Sequence, residues 1–363
     1  MDADFADVAE RWVAALSASL VRETISAAHV VRLHANDVPW HGTGIRVKAG
    51  QAYSLFASGR VQWSPRDPTL YGGPRQHLCA RIAPGGRVVN PTCDTGTFVA
   101  DVDGELELGI YMGMWKNALG DLATSESLYR RLTGGIDVLA IAWRGDAANA
   151  LAALDDSNLQ PPLISREIAR LRAPRAPPAH WDYLLETGSA GIFSDAFGPS
   201  GEPMIAVDSR DDQGIVCAPV SCELNPSTRL SWRWRVTECP SSIAEDRPQT
   251  HDYISIATEF DNGRDLTWIW SSQLTPETYF DCPIHAWTAR ETHWVVRSGN
   301  EHLGQWCSEE RHVHADVLAA MGAPAGRIVR VWLIALSSFQ HGTARAEFAD
   351  IVLSDGSQTF RVL

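Results

Sequence analysis

The sequence predicts a mainly β protein of two β-sandwich domains, jelly-roll-like, with an N-terminal helix and a helical, proline-containing linker. Two observations support this fold class. Short apolar segments interrupted by glycine recur through most of the 363 residues, a pattern typical of antiparallel sandwiches. Tryptophans also recur two residues apart, at Trp232 and Trp234 and again at Trp268 and Trp270. Residues at that spacing share one face of a β-strand.

The first half of the chain predicts a helical segment followed by a sandwich. Residues 1–29 include a helix over residues 3–21, where apolar side chains follow steps of three and four. The polar face of this helix is acidic, which favours docking on a sheet over binding to a membrane surface. Residues 30–146 form the first sandwich, because strand-like segments such as Gly96–Ala100 alternate with turn signals such as Asp103–Gly104.

The second half predicts a linker and another sandwich. Residues 147–180 are helical at first and end in the proline-bearing stretch Pro174–Pro178. Proline lacks the amide donor that helices and central strands need, so the domain boundary is placed there. Residues 181–363 form the second sandwich, in which the apolar segment Val329–Leu336 is expected to be a central strand covered on both faces. The alternating segment Ala344–Leu353 is expected to be the closing strand.

Composition excludes several classes of protein. The net charge is -13 and no long basic run exists, so a nucleic-acid partner is not expected. No apolar run approaches the roughly 20 residues of a membrane helix, and charged residues interrupt the N-terminal apolar positions, so we expect a cytoplasmic protein without a secretory signal. The seven cysteines are odd in number and widely spaced, which favours free thiols over a disulfide framework.

The strand and turn positions of the first half resemble a known family, the galactophilic bacterial lectins typified by the PA-I lectin. The residues that carry this resemblance are Asn36, Trp40–Ile45, Ala49–Gly50, Ala57–Gly59, Leu78–Ile82, Asp94–Phe98 and Gly104–Leu108. The resemblance implies a β-sandwich with a saccharide as partner. In that family a calcium ion and a sugar bind at the loop after the strand that matches Glu105–Tyr111.

The corresponding loop of this chain departs from the family pattern. Met112–Asn117 replaces a stretch that begins Asn-Asp in the lectins, so the aspartate is absent. Calcium takes six to eight oxygen ligands, with carboxylates prominent. Asn117 and Asp121 alone would make a poor calcium cage, and we therefore predict no cofactor for this chain, with calcium as the alternative.

The second half resembles a bacterial family known as domain of unknown function 3047. The matching features are a strand with Trp232 and Trp234, the segment His251–Tyr253, and an aromatic strand that ends at Trp270. A glycine-tryptophan segment at Leu303–Trp306 follows, and His251 stands where that family usually has an acid. The resemblance implies a jelly-roll-like sandwich and no particular activity.

The strand over Tyr253–Phe260 contains the main candidate for chemistry. Ile254, Ile256, Thr258 and Phe260 share one face and are expected to pack in the core, whereas Tyr253, Ser255, Ala257 and Glu259 share the other. A carboxylate partly desolvated by indoles has a raised pKa and suits general acid or base catalysis. We predict Glu259 and His251 as proton-transfer groups and Tyr253 as a hydrogen-bond donor. The alternative interpretation is the hydrated face of a sheet.

Other residues are also candidates for a functional site. His293, on a predicted strand, suits proton transfer near neutral pH, although a structural role is the more common one for such a histidine. The predicted substrate-binding residues are Trp268 and Trp270 as pocket walls, Arg233 and Arg235 as carboxylate-binding groups, and His341 in a loop. His312 and Asp316 align on a helix without a third ligand, so no metal site is predicted.

Two classes of function remain open from the sequence. One is a cofactor-independent biosynthetic enzyme on an oxygenated small molecule, most plausibly a cyclase or isomerase that closes an ether or ketal ring by acid–base catalysis. The other is a carbohydrate-binding, lectin-like protein without catalysis. The chain has no dinucleotide-binding glycine motif, Walker loop, serine-hydrolase elbow or HExxH zinc motif.

Overall fold

The computed structural model describes residues 23–112, 115–155, 162–323 and 326–363. The helix predicted over residues 3–21 therefore lies outside the described residues. The described chain is mainly β, with several antiparallel sheets and few helices, which confirms the predicted fold class. It divides into two compact units. The N-terminal unit runs to Arg175 and includes Leu185–Gly188, and the C-terminal unit comprises Ala176–Leu184 and Ser189–Leu363.

The described residues of the N-terminal unit form two sheets. Its strands are β1 Ile25–His34, β2 His41–Val47, β3 Ala52–Gln62, β4 Tyr71–Gly72, β5 Leu78–Ala83, β6 Thr95–Val99, β7 Gly104–Ile110 and β8 Thr133–Trp143. One sheet has the order β1-β8-β3-β4, with β6 also paired to β3, and the other has the order β2-β7-β5. Both sheets contribute to one core, in which Leu33 and Leu55 from the first lie with Leu106 and Leu108 from the second.

The described part of this unit also has three short α-helices, α1 Pro74–His77, α2 Ala147–Asp155 and α3 Pro162–Arg172, and a 3-10 helix at Glu126–Arg131. Helices α2 and α3 fall within the predicted linker, and they pack against the outer face of β3 and β8. Alternation along β8 explains why both faces of this strand are apolar, because Leu139, Ile141 and Trp143 contact the helices while the intervening residues face the core.

The C-terminal unit contains two larger sheets. Its strands are β9 Asp182–Tyr183, β10 Phe193–Phe197, β11 Pro203–Arg210, β12 Gln213–Glu223, β13 Arg229–Glu238, β14 Ile254–Phe260, β15 Asp265–Ser271, β16 Tyr279–Asp281, β17 Glu291–Ser298, β18 Cys307–His312, β19 Arg327–Leu336, β20 Thr343–Ser354 and β21 Thr359–Arg361, with helix α4 at Val313–Met321. The six-stranded sheet has the order β10-β11-β20-β13-β18, with β21 on β20. The seven-stranded sheet has the order β16-β17-β15-β14-β19-β12-β9.

A tryptophan-rich core lies between these two sheets. Trp232 and Trp234 of β13 meet Trp268 and Trp270 of β15, with ring centroids 6.2 Å apart for Trp232–Trp268 and 5.4 Å for Trp234–Trp270. Large indoles bury much apolar area, so this layer stabilises the unit by the hydrophobic effect and by ring packing. The tryptophan pairs that predicted the fold class therefore pack between the two sheets of the C-terminal unit.

The seven-stranded sheet is covered on its second face as well. Along β19, Val331, Leu333 and Ala335 join the tryptophan core while Trp332, Ile334 and Leu336 join an apolar cluster on the opposite face. The prediction of a central strand covered on both faces is confirmed. Strands β15 and β17 pair in parallel. In the segment between them, Leu274, Phe280 and Trp287 pack against the apolar cluster that contains Trp332.

No helix within the described ranges has the length and apolar character to cross a bilayer.

Candidate functional site

The second face of the seven-stranded sheet carries a buried polar cluster. As predicted, side chains alternate along β14, so Ile254, Ile256 and Phe260 enter the tryptophan core while Tyr253 and Ala257 face the other side. On that other side the cover of apolar residues encloses histidine, cysteine, tyrosine and carboxylate groups. This face positions the candidate site.

Four potential metal ligands meet in this cluster. They are His251, Cys282, Glu291 and His293, and one ligand atom from each lies within 4.8 Å of all the others. His251 follows a short 3-10 helix just before β14, and Cys282 follows β16. Glu291 and His293 come from β17, where a spacing of two residues places both side chains on one face. All four residues are at most 5% exposed.

The contacts within the cluster are short. His293 Nε2 lies 3.3 Å from Glu291 Oε1, and Cys282 Sγ lies 3.4 Å from His251 Nε2. The Tyr253 hydroxyl lies 3.0 Å from Glu291 Oε1 and 3.1 Å from His293 Nε2. The donor atoms of the four ligands and the phenol therefore converge on one small volume.

Surrounding groups fix the orientation of both imidazole rings. His251 Nδ1 lies 2.8 Å from the Glu245 carbonyl oxygen, an arrangement in which Nδ1–H donates and the lone pair of Nε2 points into the cluster. The Phe280 ring stacks on His293 at 5.1 Å with an interplanar angle of 11°. His293 Nδ1 has no hydrogen-bond partner among the described residues. Two oriented Nε2 atoms thus face the same volume.

Burial and charge set the protonation of the cluster. Burial, together with repulsion from His293, lowers the pKa of His251 to about 3, so its imidazole is neutral at pH 7. Burial raises the pKa of Glu291, but the two neighbouring histidines outweigh it and bring that pKa down to about 2. Burial raises the pKa of the Cys282 thiol far above its ordinary value. The cluster offers a neutral imidazole and a carboxylate, and its thiol loses the proton only to a strong electrophile such as a metal ion.

Glu259 belongs to a neighbouring ion-pair network. Its carboxylate accepts from Arg330 at 3.0 Å and from Trp332 Nε1 at 3.1 Å, and Arg290 lies 3.5 Å away. Asp265 stands between Glu259 and Glu291 in the strand register. Of the four predicted catalytic residues, the structure therefore brings together His251, Tyr253 and His293. The fourth, Glu259, forms ion pairs with Arg290 and Arg330.

The predicted substrate-binding residues lie elsewhere. Trp268 and Trp270 lie on the opposite face of the sheet from Tyr253, because β15 pairs with β14 in a register that aligns Trp268 with Ile256. They are core residues and do not form walls of this site. Arg233 pairs with Asp350 at 2.9 Å, Arg235 pairs with Glu347, and both guanidinium groups lie over the Trp306 ring. His341 lies 2.8 Å from Asp211 in a loop.

Sequence reasoning missed Cys282 and Glu291 as site residues. Glu291 and His293 form an E-x-H pair on a strand, and this spacing of two residues is a signal that could have identified Glu291 as a partner of His293. Cys282 stands alone in an irregular segment, and nothing in its sequence neighbourhood indicates the site. None of the seven cysteines, all of which lie in the described ranges, forms a disulfide, as predicted.

Asn117 and Asp121, the candidate cation ligands of the N-terminal unit, hydrogen-bond to each other. Asn117 Nδ2 donates to Asp121 Oδ2 at 2.8 Å, and Asn117 Oδ1 accepts from the Leu119 amide at 3.0 Å. Both side chains are exposed. These hydrogen bonds complete a local turn, and the pair offers few of the six to eight oxygens that calcium requires.

Next to that loop lies an aromatic group. The Trp40 ring stacks on Trp115 with centroids 5.3 Å apart, and the Arg81 guanidinium lies 4.2 Å from the Trp40 ring. Arg81 also pairs with Glu107 at 2.8 Å. Trp40 is partly exposed, so an indole and a charged pair reach the surface beside β7.

Comparison with known proteins gives one family match. The model of a family described as protein of unknown function (DUF3047) matches residues 196–352. This match confirms the resemblance predicted for the C-terminal half, and the matched range includes all four potential metal ligands. No curated protein matches the chain.

Solved structures give distant likenesses. The N-terminal domain of EclA, a PllA-like lectin, is 17% identical, with a TM-score of 0.25, and the match covers 33% of this chain and 98% of that one. The xyloglucanase domain of a type three effector from Sinorhizobium fredii is 9% identical, with a TM-score of 0.28 and coverage of 45% and 92%. A family 11 carbohydrate-binding module from Clostridium thermocellum is 11% identical, with a TM-score of 0.22 and coverage of 48% and 82%. Likenesses this distant carry no argument about function.

Proposed function

We propose that the C-terminal unit is a metal-binding module that holds one transition-metal ion through His251, Cys282, Glu291 and His293. The observation that carries this proposal is the convergence of four different ligand atoms within 4.8 Å of one another, in residues that are almost completely buried. A buried carboxylate, thiol and pair of imidazoles are costly to desolvate, and a shared cation compensates all four at once.

The donor set fits zinc best among divalent ions. Two imidazole nitrogens, a thiolate and a carboxylate are all zinc ligands, and hard oxygen-seeking ions such as magnesium and calcium do not select thiolate. Tetrahedral zinc with bonds of about 2.0–2.3 Å places its ligand atoms about 3.3–3.6 Å apart. Two of the six distances between ligand atoms, 3.3 Å and 3.4 Å, agree with that spacing, and all six are within 4.8 Å.

The charge of the ligand set also supports a dication. Glu291 is a carboxylate at neutral pH because its pKa is low, and Cys282 becomes a thiolate when it binds metal. Those two negative charges balance a divalent ion, while His251 is neutral. A neutral centre avoids the large cost of an uncompensated charge in a buried site.

The proposed ion connects three parts of the chain. His251 lies before β14, Cys282 belongs to the segment between β15 and β17, and the other two ligands belong to β17. A closed centre with four protein ligands is the form that structural zinc sites take. Metal binding therefore stabilises the packing of these segments on the sheet.

Metal analysis of the purified full-length chain tests this proposal. We expect one zinc per chain by mass spectrometry of the metal, and reversible rebinding of zinc after removal by a chelator. Cys282→Ser and His293→Gln each remove a ligand, and we expect each to lower zinc affinity at least tenfold.

Two control variants separate the site from general effects of substitution. Cys307→Ser changes another buried cysteine of the same unit, and His285→Gln changes an exposed histidine three residues after Cys282. Both are expected to keep one zinc per chain. A wild-type chain that neither carries nor rebinds a stoichiometric metal ion would refute the proposal.

A second candidate function is saccharide binding by the N-terminal unit. The observation that favours it is the partly exposed Trp40 ring beside the Arg81–Glu107 ion pair. The Trp40 ring already stacks on Trp115 and lies under Arg81, so a sugar would contact the exposed part of the ring and hydrogen-bond through its hydroxyls to the Arg81–Glu107 pair. A tryptophan fluorescence titration with galactosides, in the wild type and in Trp40→Ala, tests this candidate.

The cyclase or isomerase hypothesis receives less support from the geometry. A reactant would have to reach Tyr253 and His293, and these residues are only 1% and 0% exposed. A closed polar cluster suits a bound ion better than turnover of an oxygenated substrate.

A further inference from the structure

His251 depends on a neighbouring residue for its orientation. Glu291 and His293 are held by the regular pairing of β17, but His251 lies outside the strands, directly after the 3-10 helix Pro248–Thr250. A half-turn of its ring would exchange the two nitrogens, so the side chain needs a further contact to direct Nε2 at an ion. The Glu245 carbonyl oxygen supplies that contact, at 2.8 Å from His251 Nδ1.

The side chain of Glu245 is anchored to the sheet. Among residues 241–250, Glu245 alone is buried, at 1% exposure. Its Oε2 accepts from Ser271 Oγ at 2.5 Å, and its Oε1 accepts from the Ser272 amide at 2.6 Å. Ser271 is the last residue of β15, which pairs directly with β17. One residue therefore connects His251 to the strand beside β17.

The carboxylate of Glu245 gives this connection a fixed direction. Its removal from water costs free energy, which the hydrogen bonds from Ser271 and Ser272 compensate. An apolar side chain could anchor the loop without that cost. Charge-assisted hydrogen bonds to both carboxylate oxygens also fix the backbone position of Glu245, because such bonds are short and directional. The carbonyl oxygen is then held where it accepts from Nδ1–H of His251.

We infer that Glu245 is a positioning residue of the metal centre, which fixes the tautomer and orientation of His251 through its carbonyl oxygen. This inference rests on the proposed metal binding and keeps the same four ligands. Metal-bound imidazoles generally donate their second N–H to a carbonyl or carboxylate oxygen, and loss of such a partner lowers metal affinity about 10- to 100-fold. His293 Nδ1 has no hydrogen-bond partner in the described part of the chain, so Glu245 acts on the better-oriented imidazole.

Zinc affinity and cobalt spectroscopy of the full-length chain test this inference. Cobalt(II) binds the ligands of zinc, and its visible absorption reports the number and geometry of the donors. Glu245→Ala leaves the carbonyl unanchored, so we expect zinc affinity to fall about tenfold or more. The cobalt d–d bands should change, while the charge-transfer band of the Cys282 thiolate persists. Glu245→Gln keeps one acceptor for the Ser272 amide, and we expect a loss of about threefold.

Asp355→Ala is the matched control for these variants. Asp355 is 6% exposed, and its carboxylate accepts from the amides of Ser357 and Gln358, each at 2.8 Å. It lies in the turn between β20 and β21 of the six-stranded sheet. This substitution removes a comparable anchor from the other sheet, and it is expected to leave the zinc affinity and the cobalt bands unchanged. An unchanged circular dichroism spectrum shows that each variant is folded.

The outcomes distinguish this inference from the proposed function. Zinc affinity and cobalt bands of the wild type in Glu245→Ala overturn the positioning role and leave the proposed metal module intact. Equal losses of affinity in Glu245→Ala and Asp355→Ala also overturn it, because a general loss of stability would explain both. If Glu245→Ala does not fold, wild-type affinity in Glu245→Gln has the same meaning. A wild-type chain that binds neither zinc nor cobalt overturns the proposed function and the inference with it.

Discussion

The two units of this protein hold their candidate cation ligands in opposite environments. In the N-terminal unit, Asn117 and Asp121 are exposed, and they hydrogen-bond to each other at 2.8 Å. In the C-terminal unit, the four donors around His251 are buried within 4.8 Å of one another. Exposed donors are hydrated and need no ion, whereas buried donors without a cation bear a desolvation cost. The comparison teaches that burial, and not the number of oxygens alone, identifies the candidate metal site.

Metal removal should affect the two units very unequally. At a free metal concentration of 1,000 times Kd, binding stabilises the folded state by about 4 kcal/mol, and a chelator removes that contribution. We expect faster amide hydrogen exchange in β14, β15 and β17 after chelation, and unchanged exchange in β3 and β8. Hydrogen exchange with mass spectrometry measures both regions in one sample. Equal loss of protection in both units would contradict this prediction.

Ion pairs in the two units are expected to differ in strength. Glu259 is 7% exposed and contacts Arg330, Trp332 and Arg290. Glu259→Ala removes the carboxylate to which Arg330 and Trp332 Nε1 donate, and we expect it to lower the free energy of unfolding by about 3 kcal/mol.

The matched variant for this prediction is Glu107→Ala in the N-terminal unit. The side chains of the Glu107–Arg81 pair are 22% and 21% exposed, so the expected loss is about 1 kcal/mol or less. Denaturant titrations of both variants measure the difference. If Glu259→Ala costs no more than Glu107→Ala, the buried network around Glu259 is not a stabilising one.

The strands and their faces could be predicted from the sequence because alternation has a local cause. Side chains two residues apart share a face whatever the strand packs against, so the core position of Ile254 and Ile256 follows from the pattern alone. The same rule brought Tyr253 to the face that also holds His251 and His293.

The positions of Trp268 and Cys282 depend on strand register and on an irregular segment, which local sequence patterns do not encode. Trp268 lies on the face opposite Tyr253 because β15 pairs with β14 so that Trp268 is aligned with Ile256. A shift of one residue would have reversed the faces of the whole strand. Cys282 reaches the site through a connection without regular periodicity, so its position could not be predicted.

A buried histidine of the N-terminal unit should make stability depend on pH. His77 accepts from Trp63 Nε1 at 2.8 Å, and its Nδ1 lies 2.9 Å from the Tyr111 carbonyl oxygen. Burial lowers the pKa of His77 to about 4, below its usual 6.5 in the unfolded chain. The unfolded chain therefore binds the proton first as pH falls. The stability contributed by neutral His77 is present above pH 6.5 and is lost between pH 6.5 and 4, by about 3 kcal/mol.

The measurement is the free energy of unfolding of this unit as a function of pH, obtained from hydrogen exchange of its peptides. His77→Gln cannot gain a proton, so its slope between pH 6.5 and 4 is expected to be shallower even if its stability is lower throughout. Equal slopes in the variant and the wild type would assign the pH dependence to other groups.

The smallest effect is expected from calcium in the N-terminal unit. Intrinsic tryptophan fluorescence is titrated with galactosides, with and without calcium, and then with EDTA. We expect any saturable change to be the same with and without calcium and to be lost in Trp40→Ala, because Asn117 and Asp121 already satisfy each other. The same titration in Glu291→Gln separates this result from the effect of EDTA on the proposed metal centre. A calcium-dependent change that EDTA reverses in that variant would place a lectin-type cation site in the N-terminal unit. Burial of the ligands would then no longer distinguish the unit that binds a metal ion from the unit that does not.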